Sequence, residues 1–396
     1  MATAKFKDTT SPFARKQPSP PAQDFLHQQH LENISLKTDA RKERVKLALF
    51  GVGRAGSTHL SNIIANRRIQ LLYIVDDVES NWEKIREYWH LNDVTFLNSK
   101  QSSKVFRDPN IDAVLVASPT YTHGSIVRQA LEAKKAVFCE KPIAEDRTTT
   151  LKCYETAQKV GKPLLSAFNR RFDPSIATIK QRVRNGEVGH VHIIKTVCKD
   201  SPLPSMEYLK TSSGIFHDCM IHDIDTITWI LGELPCKVNT FAHAHTPEIK
   251  EMGDFDTVAV TLYYPSGTIA MIDASRTSAF GYDQRLEVYG TKGLISLDNE
   301  RPLHGVTSQI GLQGITQSPI HYSFPSRFKY SYQRELDHFI DVLFGKTELA
   351  VMPKETLAAC KIATACEESA KTNKVVEIKW TDDELLTNSQ KVSTAN

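Results

Sequence analysis

The sequence has no long hydrophobic run and almost no charge imbalance. Its apolar runs, such as "AVLVA" at 113–117, are the size of a buried strand and far too short to span a bilayer. Lysine and arginine total 49 against 46 aspartates and glutamates, which leaves a net charge of +3. That balance gives no reason to expect nucleic acid or a membrane surface as a partner.

Paired cysteines are also missing. The 7 cysteines are odd in number and form no C-x-x-C motif. A disulfide framework is therefore not expected, and the cysteine usage fits a reduced, cytoplasmic protein.

Residues 1–43 have no hydrophobic periodicity. Prolines at positions 12, 18, 20 and 21 predict a disordered tail. Basic residues lead this segment, as in a mitochondrial transit peptide, but Asp8, Asp24 and the prolines interrupt such a pattern. We therefore predict a plain tail, with a targeting role left open. A second tail is predicted at 381–396.

Strands and helices alternate over residues 44–167. The strand "VKLALF" (45–50), the loop "GVGRAG" (51–56), a helix and the strand "LLYIV" (71–75) make one βαβ unit, which requires a parallel sheet. The alternation continues to "LLSA" (164–167). It predicts a doubly wound Rossmann domain.

The pattern changes over residues 168–380. Helices are expected at 174–184 and 218–231, followed by runs rich in β-branched and aromatic residues, and then by helices at 332–344 and 354–371. These features predict a substrate-binding α/β domain with a large, mainly antiparallel sheet. One open face of that sheet would serve oligomerisation.

The loop "GVGRAG" follows a strand, precedes a helix and is followed by an acid at the end of the next strand. Gly51 permits a tight turn, Gly53 lets a pyrophosphate approach the backbone, and Gly56 allows close packing of helix and strand. Arg54 and Ala55 belong to this loop and are predicted to contact the cofactor, and the helix pattern follows from Ser57, where free N–H groups at the helix N-terminus favour anions. These residues predict a dinucleotide site.

Asp76 lies 25 residues after Gly51, close to the spacing of a ribose-binding acid. A carboxylate there accepts bonds from both ribose hydroxyls and repels a 2′-phosphate, and Asp77 adds to that repulsion. The sequence therefore favours NAD over NADP.

Two further polar clusters, "ASPTYTHG" (117–124) and "FCEKP" (138–142), follow strands at the carboxyl edge of the same sheet. Ligands of open α/β folds bind at that edge. Lys141 ends an apolar strand and precedes a proline, so we expect it beside the nicotinamide.

The ordered set "GVGRAG", "SPTYTH", "EKP" and the D-x-x-x-H of Asp218 and His222 resembles the glucose–fructose oxidoreductase/inositol dehydrogenase/rhizopine catabolism (Gfo/Idh/MocA) family, and most closely its inositol 2-dehydrogenase branch. The resemblance implies NAD as cofactor, catalytic roles for Lys141, Asp218 and His222 at the substrate, and dimers or tetramers. It also implies substrate contacts at Arg170, Asp200, Asp225 and Tyr282, and cofactor contacts at Ser118, Thr120, His123 and Glu140. The stretch "CKDSP" departs from the inositol enzymes, which often have His and Asn there, so the polyol stays open.

The stretch "IFHDCMIHDID" (215–225) could suggest a metal site. His217 and His222 are five residues apart, so they cannot chelate as the i, i+4 pair of H-E-x-x-H does, and no metal is predicted. Asp218 and His222, in contrast, are i and i+4 and would share one helix face. We expect Asp218 to orient His222 as a proton relay.

The sequence thus predicts an NAD-dependent dehydrogenase that oxidises a secondary hydroxyl of a cyclic polyol, with inositol (giving a keto-inositol) the leading candidate. A pyranose dehydrogenase would use the same residues. An NAD-dependent glycosidase and a non-catalytic NAD-binding regulator remain alternatives of other classes.

Overall fold

A computed structural model describes residues 44–384. The predicted tail at 1–43 and most of the one at 381–396 lie outside the described residues. Within 381–384, Glu384 accepts hydrogen bonds from Arg147 (2.6 Å) and Lys361 (2.7 Å), so the folded structure continues at least to Glu384.

The first sheet contains six parallel strands in the order β3-β2-β1-β4-β5-β6, which confirms the doubly wound arrangement. The strands are β1 (Val45–Phe50), β2 (Ile69–Val75), β3 (Thr95–Leu97), β4 (Ala113–Val116), β5 (Ala136–Glu140) and β6 (Leu164–Ala167). The sequence did not predict β3, which is only three residues long. The helices around this sheet are α1 (Arg54–Ala65), α2 (Trp82–Trp89), α3 (Ser103–Arg107), α4 (Thr120–Glu132) and α5 (Arg147–Val160).

The strand order reverses between β1 and β4. Phe50 pairs with Val75 on one side and with Val116 on the other, so three strands end at the same level. The glycine loop, Asp76 and the loop after Val116 therefore meet at one edge. This is the crevice where open α/β sheets bind ligands.

The second sheet has seven strands in the order β12-β11-β7-β10-β9-β8-β15. Only β7 and β10 pair in parallel, so the sheet is mainly antiparallel, as expected. Its strands are β7 (Val191–Lys199), β8 (Lys237–His243), β9 (Thr257–Tyr263), β10 (Ile269–Ser275), β11 (Asp283–Gly290), β12 (Gly293–Leu297) and β15 (Val376–Glu377). A separate hairpin joins β13 (Thr307–Gln309) to β14 (Ile315–Gln317).

Helices cover the inner face of this sheet. Side chains alternate between the two faces along each strand, and those of the outer face are exposed to solvent. The helices of this part of the chain are α6 (Pro174–Arg184), α7 (Met206–Leu209), α8 (Gly214–Asp218), α9 (Ile221–Leu231), α10 (Pro247–Glu251), α11 (Phe324–Arg327), α12 (Lys329–Leu343) and α13 (Pro353–Thr372). The two closing helices predicted from the sequence are confirmed as α12 and α13. Among residues 44–384, none of the helices is long and apolar enough to cross a membrane.

The single helix predicted over 218–231 is wrong. Asp218 is the last residue of α8, and α9 begins only at Ile221. Cys219 follows with its N–H bonded to the Ile215 carbonyl, and the chain turns before the second helix starts. Asp218 and His222 therefore belong to different helices.

Candidate active site

The glycine loop combines one tightly packed glycine with one that faces free space. A Cβ on Gly56 would lie 2.1 Å from the Gly51 carbonyl oxygen, so no larger residue fits there without a shift of backbone. A Cβ on Gly53 would meet nothing within 4 Å. Gly53 also precedes α1 without any side-chain cap, which leaves the helix N-terminus available to an anion. The loop thus fits a pyrophosphate.

Asp76 lies directly against this loop. Its Oδ2 accepts a hydrogen bond from the Val52 N–H and its Oδ1 one from the Val78 N–H, both at 2.8 Å. Asp77 instead accepts a bond from the Ser99 N–H at 2.7 Å. The structure therefore brings Asp76, and not Asp77, to the point where a nucleotide ribose would meet the loop.

Arg54 extends from the glycine loop towards the second part of the chain. Its guanidinium carbon lies 4.9 Å from the ring centroid of Tyr208 and 5.7 Å from that of Phe324. Ala55, the next residue of α1, is half-buried.

Four residues predicted to contact the cofactor lie at the neighbouring strand ends, and the side chains of three of them have hydrogen-bond partners in the structure. The His123 ring nitrogens lie 2.7 and 2.8 Å from the carbonyl oxygens of Pro142 and Ser118, so the buried imidazole bridges the two loops. The Glu140 carboxylate lies 2.7 Å from His59 Nε2. Ser118 Oγ is 2.7 Å from the Thr122 hydroxyl, and Thr120 begins α4. Their cofactor contacts stay predictions.

Lys141 and Asp218 meet, although 77 residues separate them. Lys141 follows β5, and its Nζ donates to the Asp218 carbonyl oxygen at 2.5 Å and to Oδ1 at 3.1 Å. Both side chains are nearly buried, at 12% and 10% exposure. The carboxyl edge of the first sheet is thereby joined to the start of the second part of the chain.

Asp218 has two further partners. The Tyr208 hydroxyl donates to Oδ1 at 2.8 Å, and Arg276 Nη1 donates to Oδ2 at 3.1 Å. Burial raises the pKa of Asp218, but the positive charges of Lys141 and Arg276 outweigh it and hold that pKa below its usual value. The carboxylate is therefore ionised.

His222 lies beside this pair without a bond to Asp218. Its Nδ1 has no hydrogen-bond partner among residues 44–384, and its ring meets Phe168 edge-on at 6.2 Å between centroids. Burial, followed by the charges of Lys141 and Arg170, lowers the pKa of His222 well below 6.5. The prediction that Asp218 orients His222 is therefore wrong, because the Asp218 carboxylate is bonded instead to Lys141, Tyr208 and Arg276. His222 is a neutral imidazole.

Asp200 and Tyr282 are two further polar residues of the site around Asp218. Burial and the nearby negative charge of Asp218 raise the pKa of Asp200 to about 6. Asp200 Oδ2 lies 3.9 Å from the sulfur of Cys219, next to Asp218 in the chain. Tyr282 is buried, with its ring edge-on to Phe328 at 6.0 Å. Asp200 thus lies near Asp218, and its substrate contact stays a prediction.

Arg170 and Asp225 have other partners. Arg170 Nη1 lies 2.9 Å from Asp223 Oδ1. Both oxygens of Asp225 accept bonds from Arg171, at 2.9 and 2.6 Å, and the pair is buried. The structure does not bring Asp225 to the Lys141–Asp218 pair. This corrects the expectation of a substrate contact, because the carboxylate is fully engaged inside the fold.

Sequence reasoning missed Tyr208 and Arg276. Tyr208 lies in the four-residue helix α7, which is too short to show a helical period in the sequence. Arg276 did leave a signal, because it continues the inward-facing series Ala270, Ile272, Ala274 along and just beyond β10. A charge at an inward position requires a buried partner.

No group of three or more His, Cys, Asp or Glu side chains in residues 44–384 could hold a metal ion. His217 instead pairs with Glu367, at 3.4 Å.

Comparison with known proteins agrees with this geometry. Residues 45–168 match the profile described as "Oxidoreductase family, NAD-binding Rossmann fold", and residues 176–296 match "GFO/IDH/MocA C-terminal domain". The chain therefore belongs to the Gfo/Idh/MocA oxidoreductase family.

Relatives and solved structures cover most of the chain. It is 33% identical over 336 residues to inositol 2-dehydrogenase of Rhizobium meliloti (84% of this chain, 99% of the relative) and 34% identical over 340 residues to myo-inositol 2-dehydrogenase of Thermotoga maritima (85% and 99%). A myo-inositol dehydrogenase from Corynebacterium glutamicum superposes with a TM-score of 0.77 at 32% identity, covering 85% of this chain and 100% of that one. The Lactobacillus casei scyllo-inositol dehydrogenase with bound NAD(H) and scyllo-inositol gives a TM-score of 0.77 at 26% identity, covering 85% and 99%. The chain is an NAD-dependent dehydrogenase that acts on a CH–OH group.

Proposed function

We propose that this dehydrogenase oxidises a ring hydroxyl of inositol to a ketone, as an inositol 2-dehydrogenase. The observation that carries the proposal is the contact between Lys141, at the cofactor edge of the first sheet, and Asp218, with the neutral imidazole of His222 beside it. Relatives of this chain bear the names of inositol dehydrogenases. Three carboxyl and phenol groups near the pair (Asp200, Tyr208 and Tyr282) are suited to a ligand rich in hydroxyls.

Oxidation of an alcohol releases a hydride and a proton. NAD, when bound, supplies the hydride acceptor. His222 would take the hydroxyl proton, since its neutral ring has one unprotonated nitrogen that can accept a proton near neutral pH. Lys141 would donate to the same oxygen and stabilise the negative charge that develops on it. Asp218 would hold Lys141 in place through Oδ1.

A panel of polyols and sugars, each with NAD and with NADP, tests the proposal through NADH absorbance. Inositol isomers should be oxidised faster than pyranoses. Faster turnover of a pyranose would favour a sugar dehydrogenase, and glycoside cleavage without net NADH would favour a glycosidase. Absence of turnover with every compound would favour a non-catalytic NAD-binding regulator.

Two lysines that flank the same strand provide a matched pair for this panel. Lys141 follows the carboxyl end of β5, whereas Lys135 precedes its amino end, where it is buried and donates to the Asp108 carbonyl at 2.6 Å. Lys141→Met should abolish oxidation, while Lys135→Met should keep it in the folded protein. Equal activity of the two variants would contradict the role of Lys141.

We also propose that the chain forms a homodimer or homotetramer through the outer face of the second sheet. Five apolar side chains follow one another across five paired strands of that face: Leu294, Tyr289, Ile193, Ile269 and Tyr263. A continuous apolar row of this kind is a common interface. Tyr289→Glu should reduce the mass measured by light scattering, whereas Leu312→Glu, on the exposed hairpin loop, should not.

A cytoplasmic location is proposed from the reduced cysteines and is tested by imaging a fluorescent fusion.

A further inference from the structure

Arg276 is a fully buried arginine, at 0% exposure, just beyond the end of β10. Its Nη1 donates to Asp218 Oδ2 at 3.1 Å, and its Nη2 to Asp254 Oδ2 at 3.3 Å. Nη2 also lies 3.5 Å from the Ser212 hydroxyl. One guanidinium thus binds two carboxylates, one at the end of α8 and one in the loop between α10 and β9.

The two carboxylates mark the two ends of α8. Asp218 is its last residue, and the other oxygen of Asp254 accepts a bond from the Ile215 N–H, in the first turn, at 3.0 Å. Arg276 itself is anchored, because its backbone N–H donates to the Asp256 carbonyl at 2.8 Å. The arginine therefore connects a rigid strand end to both ends of the short helix that presents Asp218.

We infer that Arg276 is a positioning residue, which fixes the Asp218 carboxylate so that Oδ1 faces Lys141. This inference rests on the proposed role of the Lys141–Asp218 pair in oxidation. With Oδ2 bound to Arg276 and Oδ1 bound to both Tyr208 and Lys141, the carboxylate cannot rotate about its Cβ–Cγ bond without losing a hydrogen bond. A planar guanidinium provides the two donors at a fixed spacing, which an ammonium group cannot do.

The charges around Arg276 also support a positioning role for this residue. The carboxyl groups of Asp200, Asp218 and Asp254 lie around Arg276, and Lys141 is bonded to one of them, Asp218. Removal of Arg276 would leave Lys141 shared among the acids, and Asp218 could turn towards solvent or become protonated. Either change would withdraw Lys141 from the substrate hydroxyl.

Two substitutions separate charge from geometry. Arg276→Lys keeps the charge but reaches only one carboxylate, and Arg276→Met removes both functions. We expect kcat to fall by about 10- to 100-fold in Arg276→Met, a typical effect of misplacing a catalytic group, and by less in Arg276→Lys. KM for NAD should change by less than about twofold, because Arg276 is not part of the glycine loop.

Chemical rescue and pH dependence provide readouts that a purely structural role would not move. Guanidinium ion at millimolar concentration should restore part of kcat to Arg276→Ala and none to wild type. In Arg276→Met the pKa of Asp218 should rise because it loses a cation, so the kcat profile should gain a second step at acid pH besides that of His222. The groups facing Asp218 are Lys141, Tyr208, Arg276 and, through charge, Asp200.

Arg171 provides the control. It is as deeply buried, and it pairs with Asp225 and Glu355. Arg171→Met should lower the melting temperature but leave kcat of the folded fraction and its pH profile unchanged. Unchanged kcat in a folded Arg276→Met, or the same kcat loss in Arg171→Met, would overturn the inference.

The outcome is distinguishable from failure of the proposed function. If wild type oxidises no polyol, that function fails regardless of Arg276. The positioning contact is then tested by a double-mutant cycle of unfolding free energy with Asp218→Asn and Arg276→Met. Additive effects in that cycle would show that the two side chains are not coupled, and would overturn the inference on its own.

Discussion

The two sides of the Lys141 site are held by different forces. On the cofactor side the glycine loop is held largely by backbone groups; the Asp76 carboxylate accepts a bond from the Val52 N–H, 24 residues earlier. On the other side, ion pairs join Asp218 to Lys141 and Arg276, which are 77 and 58 residues away. The first side depends on the shape of a loop, so a substitution should act locally. The second depends on the balance of buried charges, so substitutions there should affect one another.

After the loss of Lys141, the largest effect is expected for His222→Ala. Loss of the group that accepts the hydroxyl proton should lower the oxidation rate by roughly 10²–10⁴, while the Kd for NAD is kept. Because the pKa of His222 lies well below 6.5, its neutral form is complete by that pH. The rise of kcat with pH should therefore end below 6.5 in wild type and should vanish in the variant.

His217→Ala is the matched control, since His217 lies five residues earlier and pairs with Glu367. It should oxidise polyols at the wild-type rate. A double variant of Asp218→Asn and His222→Ala should lose less than the two single losses combined, because both act on one substrate hydroxyl. Near-wild-type turnover by His222→Ala, or activity abolished by a chelator and restored by zinc, would contradict the role given to His222.

The next effect separates two glycines of one loop. Gly56→Ala should lower the melting temperature and disrupt NAD binding together, because its Cβ would overlap the Gly51 carbonyl. Gly53→Ala should leave the melting temperature unchanged and raise the Kd for NAD by about tenfold, which corresponds to about 1.4 kcal/mol. Its Cβ enters only the free space that a phosphate would fill. Calorimetric titration measures the Kd for NAD, and thermal unfolding measures the melting temperature. Equal losses of stability in the two variants would show that the space at Gly53 is not a phosphate site.

The contrast also explains what could be predicted from the sequence. The first sheet and the glycine loop were predictable because each strand, turn and helix carries its own local pattern, and because parallel strand ends meet by topology. The site around Asp218 was predicted only in part. Its residue types were identified, but the chain turn after Asp218 and the partner Arg276 depend on contacts between distant segments. An i, i+4 spacing cannot reveal a helix that ends between the two residues.

Cofactor choice provides a smaller test on the first side. Asp76→Ser with Asp77→Arg removes the carboxylate beside the loop and adds a partner for a 2′-phosphate. The ratio of kcat/KM for NAD to that for NADP should fall by about tenfold or more. Asp77→Ser alone is the control, since Asp77 bonds to the Ser99 N–H and not to the glycine loop. An unchanged ratio in the double variant would mean that a different acidic residue binds the ribose.

The smallest effect concerns Asp200, on the charged side. Its pKa is raised to about 6, so between roughly pH 4 and 6 the folded protein holds a proton that the unfolded chain has released. Stability should therefore fall as pH rises through that window and stay lower above it. Asp200→Asn mimics the protonated form and should be more stable than wild type at pH 7.5 by roughly 1–3 kcal/mol, with little difference at about pH 3.5, below the window. Asp283, on β11, gives the opposite sign, because Arg285 and Asn299 lower its pKa despite its burial. Asp283→Asn should lose stability at pH 7.5 and approach wild type at low pH. Urea unfolding of both variants at the two pH values measures these differences. If Asp200→Asn is less stable than wild type at pH 7.5, Asp200 is ionised and paired in the folded protein, and the charge balance drawn for this side of the site is wrong.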